Sequence, residues 1–194
     1  MNKAEILRRQ KEQDPLADLF REILINVGED PDRGGLKETP LRCAKAWMEW
    51  TSGYNEEPAK VLKTFEDGAD GYNELITVTK IPFYSHCEHH LAPFFGRVHF
   101  GYIPDKRIVG LSKMNRLVEC FSKRLQVQER LTRQIVDSFV DEIKPKGAAC
   151  IIEARHLCME SRGVCHQGCE TKTSAFSGVL FESSARAEFL SLAR

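Results

Sequence analysis

What this sequence lacks narrows its options first. It carries no net charge, because 28 Lys and Arg offset 28 Asp and Glu. That balance argues against binding polyanions by bulk charge, while leaving room for a local basic pocket. No run of about 18 apolar residues is present, so no membrane-spanning helix is expected. The opening residues MNKAEILRRQKEQD have no apolar core and do not read as a signal peptide, so the expected location is cytoplasmic. No basic stripe interleaved with aromatics offers a nucleic-acid groove. Internal repeats and low-complexity tracts are absent as well. The seven cysteines (43, 87, 120, 150, 158, 165 and 169) are odd in number and irregularly spaced, which excludes a regular disulfide framework. Without a secretory signal they read as reduced thiols, some of them ligands.

What is present fits one substantial domain with a small appendage, since 194 residues bury a sizeable core. Leu16, Leu19, Phe20, Ile23, Leu24 and Val27 recur at helical spacing and Gly28 marks the stop. Thr39 is a plausible N-cap with Pro40 at the first position of a second helix. EEPAKVLKTFEDGADGYNE reads as a loop. ELITVTKIPFYSH and RVHFGYIP then read as strands. KMNRLVECFSKRL follows as a helix with Met114, Leu117, Val118, Phe121 and Leu125 on one stripe. The next helix uses Leu131, Ile135, Phe139 and Ile143. AACIIEARHLCM and TKTSAFSGVLFE read as strands, with a short helix after them. The expectation is an α+β fold, an antiparallel sheet backed by helices, with a helical N-terminal extension over 1–72 and the main domain over 73–194.

The densest chemistry lies in SHCEHHLAPF, residues 85–94, with three histidines, one cysteine and one glutamate. Cys87 and His90 stand three apart, so a thiolate and an imidazole can meet one ion. On a strand over AACIIEARHLCM, alternation puts His156 and Cys158 on one face, and either completes the site. Two thiolates and an imidazole suit zinc. Three protein ligands describe a catalytic zinc; Cys165 or Cys169 as a fourth describes a structural one. The H-x-E and P-C-x-x-C signature of the nucleoside deaminases is absent.

Other residues suggest an anion and base pocket. GLSKMNR places Ser112 at an expected N-cap, with Lys113 and Arg116 one turn apart at a helix N-terminus. Gln128 and Glu129 open the next helix, where a carboxylate can accept two N–H groups of a guanine edge. TPLRCAK contributes Arg42 and Lys45, and ESRG contributes Arg162. Each is also readable as an ordinary surface or capping residue.

CEHH, GLSK, QVQERL and HLCM-x-x-RG, in this order, resemble GTP cyclohydrolase I, and the likeness runs from about Asp30 to the C-terminal EFL. The resemblance implies the tunnelling fold, a four-stranded antiparallel sheet with two helices on one face. It also implies decamers of two stacked pentamers with active sites at subunit interfaces. The implied reaction takes GTP and water to 7,8-dihydroneopterin triphosphate and formate, zinc-activated water attacking C8. Carried over by position, Cys87, His90 and Cys158 hold Zn2+, and His89 and His156 move protons. Ser112 lies near the ribose, Gln128 and Glu129 anchor the guanine, and Lys113, Arg116, Arg162, Arg42 and Lys45 bind the triphosphate. The chain departs from the family at VCHQGCETKTS, where Cys165 and Cys169 flank His166. His86 and His99 read as supporting residues, and Cys43, Cys120 and Cys150 as packed thiols. The alternative is a catalytically silent purine- or pterin-binding relative with a structural zinc.

Overall fold

The structure is a computed structural model and describes residues 14–65 and 71–193. The stretch MNKAEILRRQKEQ and the middle of the loop expected over 56–74 lie outside the described residues. Contacts divide the chain into two compact units that part between Thr51 and Ser52.

The first unit is a helix pair. Helix α1 (Pro15–Asn26) starts on an Asp14 cap whose carboxylate accepts from Leu16 N at 3.0 Å. Its chain leaves through Gly28 at φ +89°. Helix α2 (Thr39–Trp50) has Pro40 in its first turn. Thr39 is its first residue and Glu38 occupies the cap position without a side-chain cap bond, so the expected Thr39 cap is displaced by one residue. Phe20 and Trp47 stack at 6.5 Å across the pair.

The second unit is built on a sheet. Its long strands are β2 (Ile76–Cys87), β3 (Pro93–Ile103), β6 (Gly147–His156) and β7 (Thr171–Gly178), each antiparallel to the next. Two-residue strands β1 (Thr64–Phe65) and β4 (Ile108–Val109) pair separately. The main sheet has order β5-β2-β3-β6-β7, where β5 (Leu125–Gln126) is a short parallel edge. The four antiparallel strands are those the resemblance implied; β5 is an addition that alternation could not show.

One sheet face is covered by two helices, α4 (Leu111–Ser122) and α5 (Gln128–Ile143), after the four-residue α3 (Pro58–Val61). The alternation Phe94, Val98, Phe100 and Tyr102 on β3 meets Met114, Leu117, Leu131, Ile135 and Phe139 from the helices, all nearly inaccessible. Burial of a large apolar side chain contributes roughly 1.5–3 kcal/mol each, so this face carries the fold. On the other face Ala149, Phe176 and Leu180 pack with Phe189 of α7 (Ser183–Leu192), which follows α6 (Leu157–Glu160).

Further expectations shift: the loop read over 56–74 carries α3 and β1, and the strand read over TKTSAFSGVLFE ends at Gly178. Helix α4 stops at Ser122, and Leu125, expected on its stripe, extends into β5 beside His86. Ser112 lies inside the first turn of α4 while Gly110 takes the cap position, at φ −58° and ψ 126°. The strand over AACIIEARHLCM ends at His156, and α6 turns the chain so that Cys158 leaves the strand face.

Candidate metal centre and acid–base site

Two turns deliver the candidate metal ligands. Between β2 and β3 the chain closes over residues 87–92, with Leu91 N donating to Cys87 O at 2.8 Å and Cys87 N to Ala92 O at 2.8 Å. Leu91 sits at φ +54°, a left-handed conformation held by this closure. Glu88 N donates to Gln126 O at 3.0 Å, so the parallel β5 edge pins the turn. The Glu88 carboxylate takes the Arg130 guanidinium of α5, and that pairing holds it below the usual carboxylate range.

The second turn is α6. Arg155 Nε donates to Glu160 Oε1 at 2.9 Å and Arg155 Nη2 to Glu160 Oε2 at 2.5 Å, a two-pronged pair spanning Cys158. Phe95 lies under the Arg155 guanidinium at 5.8 Å. This clamp explains why the strand ends early: Glu160, buried, returns to Arg155 and folds the intervening residues into a turn.

Together these turns bring the ligand atoms of Cys87, His90 and Cys158 within 4.8 Å of one another. Cys87 Sγ is 3.7 Å from His90 Nδ1. A tetrahedral zinc with Zn–S near 2.3 Å and Zn–N near 2.05 Å has an S···N edge of about 3.5 Å. The three groups therefore fit such an ion with minor adjustment. Their electrostatics agree: burial first, and then the adjacent Cys87, push the Cys158 thiol upward. A cation between the sulfurs reverses both penalties by favouring thiolates. Cys87, His90 and Cys158 were the ligands the resemblance implied, although the strand-face argument for Cys158 does not hold.

His156 is held apart from this set. Its Nε2 is 2.7 Å from Gln128 Oε1, and its ring stacks on Phe94 at 4.7 Å and 3°. Burial lowers its affinity for a proton, while Glu129 and Glu160 act in the opposite sense. Gln128, the first residue of α5, is buried, and the two hydrogens on its Nε2 are shared among Ile152 O, Thr171 O and Thr173 Oγ1. His89 is exposed on the metal turn, with Nδ1 3.9 Å from Cys87 Sγ. Arg162 follows α6 closely enough to act on Cys158 by its charge.

The remaining expected residues sit on other elements. Ser112, Lys113 and Arg116 lie on α4 without a hydrogen bond or ion pair to the ligand set among the described residues. Arg116 lines a separate open groove of about 430 Å3 with Asn55, Lys60 and Glu119. Arg42 and Lys45 belong to the first unit, where Arg42 pairs with Glu38. Sequence reasoning missed Phe94, Arg130, Arg155, Glu160 and Thr173. Glu160 and Arg155 stand five apart, a spacing that hints at a local pair; Arg130 and Glu88 are 42 residues apart and carry no local signal.

Fold and site together define a class: an α+β protein presenting a Cys-His-Cys set that could hold a metal beside a half-buried, oriented histidine. The family model of GTP cyclohydrolase I matches residues 16–194. GTP cyclohydrolase 1 of Nitrosospira multiformis is 56% identical over 175 residues, covering 90% of this chain and 92% of its own. That of Deinococcus radiodurans is 51% identical over 178 residues, covering 91% and 82%. The Saccharomyces cerevisiae enzyme is 47% identical over 173 residues, covering 89% and 71%. This chain belongs to the GTP cyclohydrolase I family.

Proposed function

We propose that this chain hydrolyses GTP at C8 and releases formate, leaving a product that rearranges to 7,8-dihydroneopterin triphosphate. The observation that carries this reading is the convergence of Cys87, His90 and Cys158 beside a histidine oriented by its own partner. Zn2+ is the metal the donor set suits, and when bound it supplies Lewis acidity that makes water a nucleophile near neutral pH.

The chain's own residues supply the rest. His156 gives a proton to the imidazole part of guanine as the ring opens, and takes one back in the second hydrolysis. His89, exposed on the metal turn, serves as the second proton-transfer group. Glu129, in the first turn of α5, accepts the N–H groups of the guanine edge. The two Gln128 amide hydrogens are shared among three acceptors within the chain, so its side chain supports this arrangement from behind. Ser112 assists at the ribose. Lys113, Arg116 and Arg162 bind the triphosphate, joined by Arg42 and Lys45 from another copy in a ring-shaped homo-oligomer, a decamer of two pentamers. Five cations offset the roughly four negative charges of a triphosphate. A neutral protein thus holds a polyanion by a local pocket.

The test is to incubate the purified chain with GTP, follow formate and pterin absorbance, and repeat with Cys158→Ser. The parent is expected to release both products, and the variant to lose metal and activity together. A parent that binds zinc and GTP yet releases no formate would be a nucleotide-binding relative with a structural metal.

A further inference from the structure

Gln128 lies at the junction of α5, β6 and β7, and the protons around it can be assigned one by one. Its Nε2 stands 3.0 Å from Ile152 O, 2.9 Å from Thr171 O and 3.1 Å from Thr173 Oγ1. Two of these partners are backbone carbonyls, which only accept. The amide end facing them must therefore be the NH2 group; the reversed amide would set a carbonyl oxygen against two others. The hydroxyls agree with this assignment. Thr132 Oγ1 donates to Gln128 O at 2.7 Å, which uses its one hydrogen. Thr173, 2.6 Å from Thr132 Oγ1, must then donate to it and keep its lone pairs for the Gln128 amide. The opposite end, Oε1, has no hydrogen to give. It faces His156 Nε2 at 2.7 Å, so that contact is an N–H donated by the ring.

We propose that Gln128 is a positioning residue that holds His156 as one tautomer, protonated on Nε2, so that Nδ1 is the nitrogen that exchanges protons with the substrate. Three features over-determine this arrangement. The amide is buried at 2% exposure and cannot turn over without losing its three acceptors. The imidazole plane is fixed by stacking on Phe94, with 3° between the rings. Nδ1 has no hydrogen-bond partner among the described residues. The acid is the imidazolium, formed when the Nδ1 lone pair of the neutral ring takes a proton from solvent; in the acid step that Nδ1–H bond breaks, its proton bonds to a substrate nitrogen, and the electron pair returns to Nδ1. In the base step that pair takes a proton back, and Nε2–H is untouched throughout. A neutral imidazole with both tautomers populated would present the reactive lone pair only part of the time. The assignment of the working nitrogen rests on the proposed function; the tautomer itself does not.

The experiment has two arms. The first uses zinc-loaded full-length protein with 15N-labelled histidine, sedimented for magic-angle-spinning NMR without substrate. The His156 signals are identified by their loss in His156→Asn. The expected spectrum shows a protonated Nε2 and an unprotonated Nδ1 in the neutral ring; an Nδ1–H ring or an even mixture overturns the proposal. The second arm measures GTP turnover of Gln128→Met, which keeps length and removes the amide. A kcat reduced about 10- to 100-fold with KM for GTP little changed is expected, together with mixed tautomers. A KM increase at unchanged kcat would overturn it in favour of direct base contact. Should Gln128→Met not fold, the parent spectrum alone decides. A parent with the expected tautomer but no formate release overturns the proposed reaction and leaves the tautomer standing.

Discussion

Gly96→Ala tests whether the packing of β3 against β6 sets the site. Gly96 is paired with Ala154, one step along the face from the Phe94–His156 pair. A Cβ at this position would lie 1.8 Å from Glu153 O and 2.8 Å from Ala154 Cα, both backbone atoms that cannot rotate away. Cβ contacts below 3.0 Å are essentially never seen, so the strands must part locally by about 1.2 Å. A ladder bond of about 2.9 Å then stretches to about 4.1 Å and ceases to be one. Losing two such bonds at roughly 0.5–1.5 kcal/mol each, together with lost packing, gives an expected destabilisation of about 2–4 kcal/mol. The same separation loosens the Phe94 ring from His156. The assay is urea unfolding followed by far-ultraviolet circular dichroism at fixed protein concentration, with zinc affinity measured by chelator competition. A variant within about 0.5 kcal/mol of the parent and with unchanged zinc affinity would refute the reasoning.

Other outcomes follow from single residues. Lys144 ends α5 at φ 52° and ψ 55°, so Lys144→Gly should raise stability by about 0.5–1 kcal/mol, read as an increased urea midpoint. His99 is 2% exposed and neither ring nitrogen has a hydrogen-bond partner among the described residues. Burial lowers its pKa from the usual 6.5 against a smaller opposing effect of Glu153. The unfolded chain therefore binds this proton more readily, and the stability associated with neutral His99 is complete above about pH 6.5 and lost as pH falls below it. His99→Leu should flatten that acid-side slope, and an unchanged slope would contradict the assignment. Alkylation followed by mass spectrometry should label exposed Cys165 and Cys169 first. Fully buried Cys150, whose thiol is pushed up by desolvation, should label only on unfolding. Glu160→Gln should weaken zinc binding by roughly 10- to 100-fold through the turn that carries Cys158, as measured by chelator competition.

Much of the second unit was legible because periodicity reports burial directly. The stripes Met114–Leu117–Val118–Phe121 and Leu131–Ile135–Phe139 are buried as their spacing demanded, and the β3 alternation faces them. Boundaries set by tertiary contacts were not legible. The period-2 pattern through Cys150, Ile152 and Ala154 gave no reason to stop at His156, because the cause is an Arg155–Glu160 pair whose payoff depends on burial. Leu125 kept the helical stripe in the sequence, yet an edge position beside His86 satisfies its backbone better.

Local chemistry determined the donor types, and so which metals the set could suit and which imidazoles stand within a few residues of it. Cys87, His90 and His89 reach one place because a six-residue turn leaves them nowhere else to go. The place of Cys158 beside Cys87 and the orientation of His156 depend on groups far apart in the chain. Gln128 acts on His156 only because α5 starts where β6 and β7 expose their carbonyls, and Glu88 meets Arg130 across 42 residues. Residue type fixes what a side chain is able to do; only packing fixes which nitrogen faces which oxygen, because a hydrogen bond is decided over tenths of an ångström.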